Sequence, residues 1–178
     1  PLKDVYKLEP SEYLIFDFKK KNLLKKKYWK INYGQKKIDD SFSDNFFKLF
    51  KNSVKNHFIS DVPVALYLSG GLDSSSIATV AKKELEVGEF KAFNLKFNNQ
   101  TFDEDNLALK LSRELGIKLE TFEFQEQNIN SSILNLVDNL DEPISDTGYL
   151  AVGLISEFIK KKDYKVVISG DGGDELFG

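Results

Sequence analysis

Four short strand-like runs, VALYLS (64–69), FKAFNLKF (90–97), KLETFEF (118–124) and YKVVIS (164–169), alternate with segments of helical length and spacing. Those segments are SSSIATVAKKELE (74–86), FDEDNLALKLSRELG (102–116), INSSILNLVDNL (129–140) and GYLAVGLISEFIKK (148–161). Strands alternating with helices of this length predict an α/β fold: a parallel sheet with helices on both faces and right-handed crossovers.

Upstream of this pattern, DDSFSDNFFKLFKNSVKNHFI (39–59) places phenylalanines near helical spacing behind Asp39, Asp40, Ser41 and Ser43, all able to cap a helix. These rings read as core. His57, at that helix's end, reads as a packing or helix-dipole residue. EYLIFDF (12–18) alternates as a strand, and YWKINY (28–33) offers another. From Lys19 to Lys37 the chain is lysine-rich and lacks acidic side chains, a pattern read as a solvated hairpin and linker.

Composition narrows the function classes. The 25 basic and 28 acidic side chains leave a net charge of −3, which does not favour nucleic acid as a partner. No apolar run is long enough to span a bilayer and no signal-peptide pattern opens the sequence, so a cytoplasmic protein is expected. With no cysteine and a single histidine, disulfides, thiolate metal sites and histidine-based zinc sites are excluded from these residues. The chain starts at Pro1, contains no methionine and breaks off in a glycine-rich loop, so it is expected to be part of a longer protein.

The chemistry gathers in two loops. SGGLDSS (69–75) lies where the first core strand meets a helix. In an open parallel sheet, ligands bind beyond the carboxyl ends of the strands at a topological switch point. Gly70 and Gly71 let the backbone turn and approach a ligand, and helix-start amides favour an anion. Ser69, Ser74 and Ser75 add hydroxyl donors. The pattern is neither a Walker loop nor GxGxxG. A carboxylate at Asp73 would repel phosphates unless a cation such as Mg2+ stood between them. The alternative is an Asp or Ser N-cap with no ligand.

SGDGGDE (169–175) follows the last strand in the same way, with Asp171, Asp174 and Glu175 among glycines. Two such loops at like ends of parallel strands predict one shared cleft. There Asp73 and Asp174 can share Mg2+ over a polyphosphate, leaving Asp171 to act on protons or orient a nucleophile. A calcium-like loop or polar turn is the alternative, although DxDxDG spacing is not met. In DEPISDTGY (141–149), Asp146, Thr147 and Gly148 can cap the next helix or bind an anionic substrate at its start.

These residues together resemble the synthetase domain of the glutamine-hydrolysing asparagine synthetases, within the PP-loop ATP pyrophosphatase (adenine nucleotide alpha hydrolase-like) group. DVPVALYLSGGLDSS, FDE before LSRELG, DEPISD and ISGDGGDELFG occur in the family's order. SGGLDS alone would indicate only the wider group, which includes GMP and NAD synthetases. The resemblance covers residues 61–178 well, and LEPSEYLIFDF with YW looks like the end of the family's glutaminase domain. It implies residues 1–36 as the end of that domain with its linker, and 37–178 as an ATP-binding synthetase domain truncated at its C-terminus.

It further implies ATP-dependent amidation of aspartate, through an acyl-adenylate, with ammonia from glutamine. A related amidotransferase or lactam synthetase acting on another acid, or a non-catalytic nucleotide-binding module, is the alternative. Carried onto this chain, Ser69, Gly70, Gly71, Leu72, Asp73, Ser74 and Ser75 would cradle the pyrophosphate. Leu68, Leu95, Ser169 and Gly170 would border the adenosine. Asp73 and Asp174 would hold Mg2+, Asp171 would act near the attack of ammonia, and Glu142, Asp146 and Asp171 would read the acid substrate. The family's glutaminase cysteine, its histidines after the third strand and its later adenylation lysine have no counterpart in these residues, so the segment alone is not expected to be active.

Overall fold

The structure is a computed structural model that describes residues 3–32, 34, 39–97, 103–124, 129–141, 146 and 148–177. The chain forms two compact units, Pro1–Ser41 and Phe42–Gly178.

The first unit is built on an antiparallel hairpin, β1 (Glu12–Asp17) with β2 (Asn22–Lys27), in register from Glu12↔Lys27 to Asp17↔Asn22. Its turn forms because the Asp17 carboxylate accepts the Lys19 and Lys20 amides at 2.9 and 3.0 Å, while Lys21 takes a φ of +49°. The lysine-rich stretch is therefore partly strand. The expected strand at 28–33 does not form over its described residues: the hairpin turn sets the return strand to begin at Asn22, so β2 ends before Tyr28.

The second unit holds a four-stranded parallel sheet in the order β5-β4-β3-β6. The strands are β3 (Val64–Tyr67), β4 (Lys91–Phe97), β5 (Lys118–Phe124) and β6 (Val166–Ile168). The helices are α1 (Phe42–His57), α2 (Leu72–Thr79), α3 (Asp103–Glu114), α4 (Ile129–Val137), α5 (Gly148–Lys160) and a short α6 (Gly173–Phe177). Among the described residues, no helix is long and apolar enough to cross a membrane.

Period-two alternation on β3 divides the core between the sheet's two faces. Val64, Leu66 and Leu68 point to one face, where they pack with Val54 of α1, Ala78 of α2 and Ala108 of α3. Ala65 points to the other with Phe93, Ile155 and Ile159, flanked by Tyr67 and Phe158. Right-handed crossovers require this division. The chain steps from β3 to β4 to β5 with its helices on one face, then returns across the sheet to β6 with α5 on the other.

Two boundaries differ from the sequence reading. The helix expected at 74–86 begins at Leu72 and changes at Val80 to a π-helical turn, Val80–Glu84. Leu85 N–H donates to Val80 O and Val87 N–H to Ala81 O, ending the helix early. Residues expected to continue the last loop instead form α6, because Gly173 N–H donates to Gly170 O and starts a turn.

One ion-pair cluster ties α5's end to the sheet. Glu120 on β5 accepts from Lys91 on β4 at 2.9 Å and from Lys162, whose ammonium lies over the Phe158 ring. The hydrogen bond from Lys162 first, then that from Lys91, holds the Glu120 carboxyl below its ordinary value of 4.5. A carboxyl depressed in the folded state stabilises above its unfolded pKa, and that stability is lost as pH falls through the folded pKa. Glu120→Gln is expected to lower stability by about 1 kcal/mol at pH 7, for a partly exposed network. The difference should shrink when urea midpoints are compared again near pH 3.

Candidate active site

β3 and β6 are neighbours, yet the chain leaves β3 toward one face and reaches β6 from the other. This pair is the switch point of the sheet, and both glycine-rich loops issue from it. Gly70 and Gly172 each take a φ of +92°, a conformation that side chains rarely adopt, and so turn the two loops alike.

The loops pack directly on one another. A Cβ placed on Gly170 would lie 2.8 Å from Asp73 Cβ and 3.2 Å from the Ser74 amide nitrogen. One placed on Gly173 would lie 2.7 Å from Asp73 Cγ. Glycine at 170 and 173 is thus what allows Asp73 to sit beneath the second loop.

The first loop is tied by its serines. Ser69 and Ser74 hydroxyls meet at 3.1 Å, Gly71 N–H donates to Ser69 Oγ at 3.2 Å, and Ser74 Oγ donates to Gly71 O at 3.3 Å. Gly71 is the N-cap of α2 with an extended backbone and makes no side-chain cap bond. Asp73 lies in the first turn instead of at the cap, so the simple capping alternative does not describe it. In the second loop, Ser169 Oγ donates to Asp171 Oδ2 at 2.8 Å.

Around these loops lies a cleft of about 870 Å³. Ser69, Gly71, Leu72, Asp73 and Ser74 line it from the first loop, and Ser169, Gly170, Asp171, Asp174 and Glu175 from the second. Asp146 joins from the start of α5, where its Oδ1 accepts the Gly148 amide at 2.8 Å, so it caps that helix and lines the cleft at once.

Other expected site residues fall elsewhere. Leu68 is fully buried among the core residues of the α2 face, and Leu95 packs against the cluster of the α5 face, so neither lines the cleft. Gly70 and Ser75 shape the loop and helix start without lining it. Glu142 lies outside the described residues.

Three lining residues escaped the sequence reading: Tyr67, Tyr149 and Val152. The signal was present as spacing. Tyr67 alternates with Leu66 and Leu68 at the strand's carboxyl end, and positions 149, 152 and 156 repeat along one stripe of α5. Tyr67 Oη and Ser156 Oγ lie 2.6 Å apart. Burial pushes the Tyr67 phenol up, its hydrogen bond to Ser156 works against that, and the Asp171 charge adds to it.

Electrostatically the cleft is one-sided. Asp73, Asp146, Asp171, Asp174 and Glu175 line it, and among the described residues no lysine, arginine or histidine does. No group of three or more acidic, histidine or cysteine side chains among the described residues is placed to hold a metal ion unaided. Two carboxylates beside a helix start suit instead a cation shared with phosphate oxygens, the usual arrangement for magnesium.

A parallel sheet with this switch-point loop defines the PP-loop ATP pyrophosphatase fold. A glutamine-dependent NAD+ synthetase from Acinetobacter baumannii, solved with ADP, shares it at a TM-score of 0.50 and 21% identity, over 92% of this chain and 30% of that one. Within that class the chain belongs to the asparagine synthase family, whose sequence model matches residues 45–178. A putative glutamine-hydrolysing asparagine synthetase from Methanocaldococcus jannaschii is 32% identical over 99% of this chain and 34% of its own length. The amidase chyE of Penicillium rubens is 28% identical over 98% of this chain and 29% of its own length. The chain thus spans about a third of the length of these curated relatives.

Proposed function

We propose that residues 37–178 are the ATP-binding synthetase part of an enzyme that amidates a carboxylic acid, aspartate being the simplest case, and that residues 1–36 end a glutaminase domain. The observation that carries this reading is the packing of Gly170 and Gly173 on Asp73 at the β3–β6 switch point, beside the helix start at Gly71. It joins two glycine-rich loops and two sets of carboxylates in one cleft, as a site for a polyphosphate and its cation would require.

A carboxylate is a poor electrophile, so it must be activated before an amine can displace its oxygen. In the proposed reaction a carboxylate oxygen of the acid attacks the α-phosphorus of ATP, and pyrophosphate leaves. Ammonia, drawn from glutamine, then attacks the acyl carbon of the adenylate and expels AMP, losing a proton as the amide forms. Amides of the SGGLDSS loop and the α2 start would bind the departing pyrophosphate, and Asp171, held by Ser169, would accept the proton or orient ammonia. Asp73 and Asp174 would hold Mg2+, which when bound neutralises phosphate charge. Substrates of this kind place the reaction in the cytoplasm.

The likeness to an amidase favours a second reading, in which the same cleft serves an acid other than aspartate. Both readings are tested with acid labelled by 18O in its carboxylate, supplied with ammonia to the natural full-length protein. Attack on the α-phosphorus transfers one label into AMP, whereas label in inorganic phosphate would show activation by γ-phosphoryl transfer and overturn the adenylate. Labelled aspartate and a panel of other labelled acids separate the two substrates.

A further inference from the structure

At the carboxyl edge of the sheet both glycine-rich loops line the cleft, packed on one another at Asp73. On the α5 side, β3 turns Tyr67 onto the face shared with Ala65, where its hydroxyl meets Ser156 of α5.

Leu66 pairs with Ile168, so the next residues along the register, Tyr67 and Ser169, are neighbours. Ser169 follows Val167 by two, which puts it on the same face as Tyr67, and it is the donor that holds Asp171. Tyr67 therefore lines the cleft close enough to Asp171 to feel its charge.

A carboxylic acid entering this cleft meets carboxylates and, among the described residues, no basic group. A neutral hydroxyl that lines the cleft can donate to such an acid without adding charge of its own. A half-buried hydroxyl already anchored by a neighbour gives up little conformational freedom when it binds, and a hydrogen bond to a charged partner is stronger than one to a neutral partner. Burial and the Asp171 charge also keep the Tyr67 phenol protonated, as a donor must be.

We propose that the Tyr67 hydroxyl, fixed by Ser156, is a specificity-determining group that hydrogen-bonds the acceptor acid. The proposal rests on the amidation reading for the acid's fate and on the geometry of β3, β6 and α5 for its place.

Tyr67→Phe removes only the hydroxyl and keeps the packed ring. In the natural full-length protein it is expected to raise KM for the acid about tenfold, the size of one lost hydrogen bond to a charged group. KM for Mg-ATP and kcat should stay within about twofold, and the melting midpoint should fall by no more than a few degrees, the size of the lost hydrogen bond to Ser156. Ser156→Ala should move the acid's KM in the same direction by less. Equal rises in both KM values, or an unchanged KM for the acid, would overturn the proposal.

Calorimetric titration of the acid into the wild type and Tyr67→Phe, with a non-hydrolysable ATP analogue present, separates this inference from the amidation reading. Weaker acid binding by the variant supports the role of Tyr67 even if no turnover is found. Equal binding by both proteins, or none by either, overturns it.

Discussion

Replacing Asp73 with alanine is expected to abolish Mg-ATP-dependent pyrophosphate release by the natural full-length protein, a fall of about 100- to 1,000-fold or more. Asp73 sits in the first turn of α2, lines the cleft and lies beneath Gly170 and Gly173, so its carboxylate stands where the two loops meet, the place proposed for the polyphosphate and its cation. Without it the proposed cation, shared with phosphate oxygens, would lose a protein ligand. The helix start should survive, because Gly71, not Asp73, is its cap. Circular dichroism should therefore match the wild type. Unchanged pyrophosphate release would rule out Asp73 as a ligand for that cation.

The second large effect is expected from Gly170→Ala. Its new Cβ would press on Asp73 Cβ and on the Ser74 amide nitrogen, neither of which is the far end of a flexible side chain. Relief requires the two loops to separate. The expected cost is about 1–3 kcal/mol of stability, typical of overpacking, and a fall in exchange of at least about tenfold as Asp73 moves. Gly88→Ala is the control: a Cβ there meets nothing within 4 Å, so its effect should stay within about 0.5 kcal/mol. Equal, small effects of both substitutions on activity and urea midpoint would contradict the close packing of the loops.

The sequence made the sheet legible because each strand was short and set between helical periods. β5, with residues 118–124, is matched at both ends. The two loops were legible for a related reason: glycines, hydroxyls and carboxylates concentrated after strands have few roles except binding. Distances between those loops were not legible. Nothing in SGGLDSS or SGDGGDE states that Gly170 rests on Asp73, because this follows from β3 and β6 being neighbours in a sheet whose order the sequence does not print.

Tyr67 and Leu68 illustrate the limit at single residues. They are adjacent in sequence, and the family resemblance pointed to Leu68. Strand alternation sends Leu68 wholly into the core of the α2 face and Tyr67 to the cleft. Which face meets α5 depends on the return crossover to β6, a long-range consequence of handedness. On α2, the π turn at Val80 was invisible for a different cause: apolar spacing alone does not register one extra residue per turn near a helix end.

The central claim is that this cleft activates a carboxylic acid with ATP. It is tested most directly by exchange of labelled pyrophosphate into ATP, using the natural full-length protein with aspartate and a panel of other carboxylic acids. Exchange that requires one of these acids and Mg2+ is the expected result, and the acid that supports it identifies the substrate. Absence of exchange with every acid, in a protein that still binds ATP, would contradict the claim and leave a nucleotide-binding module without the chemistry.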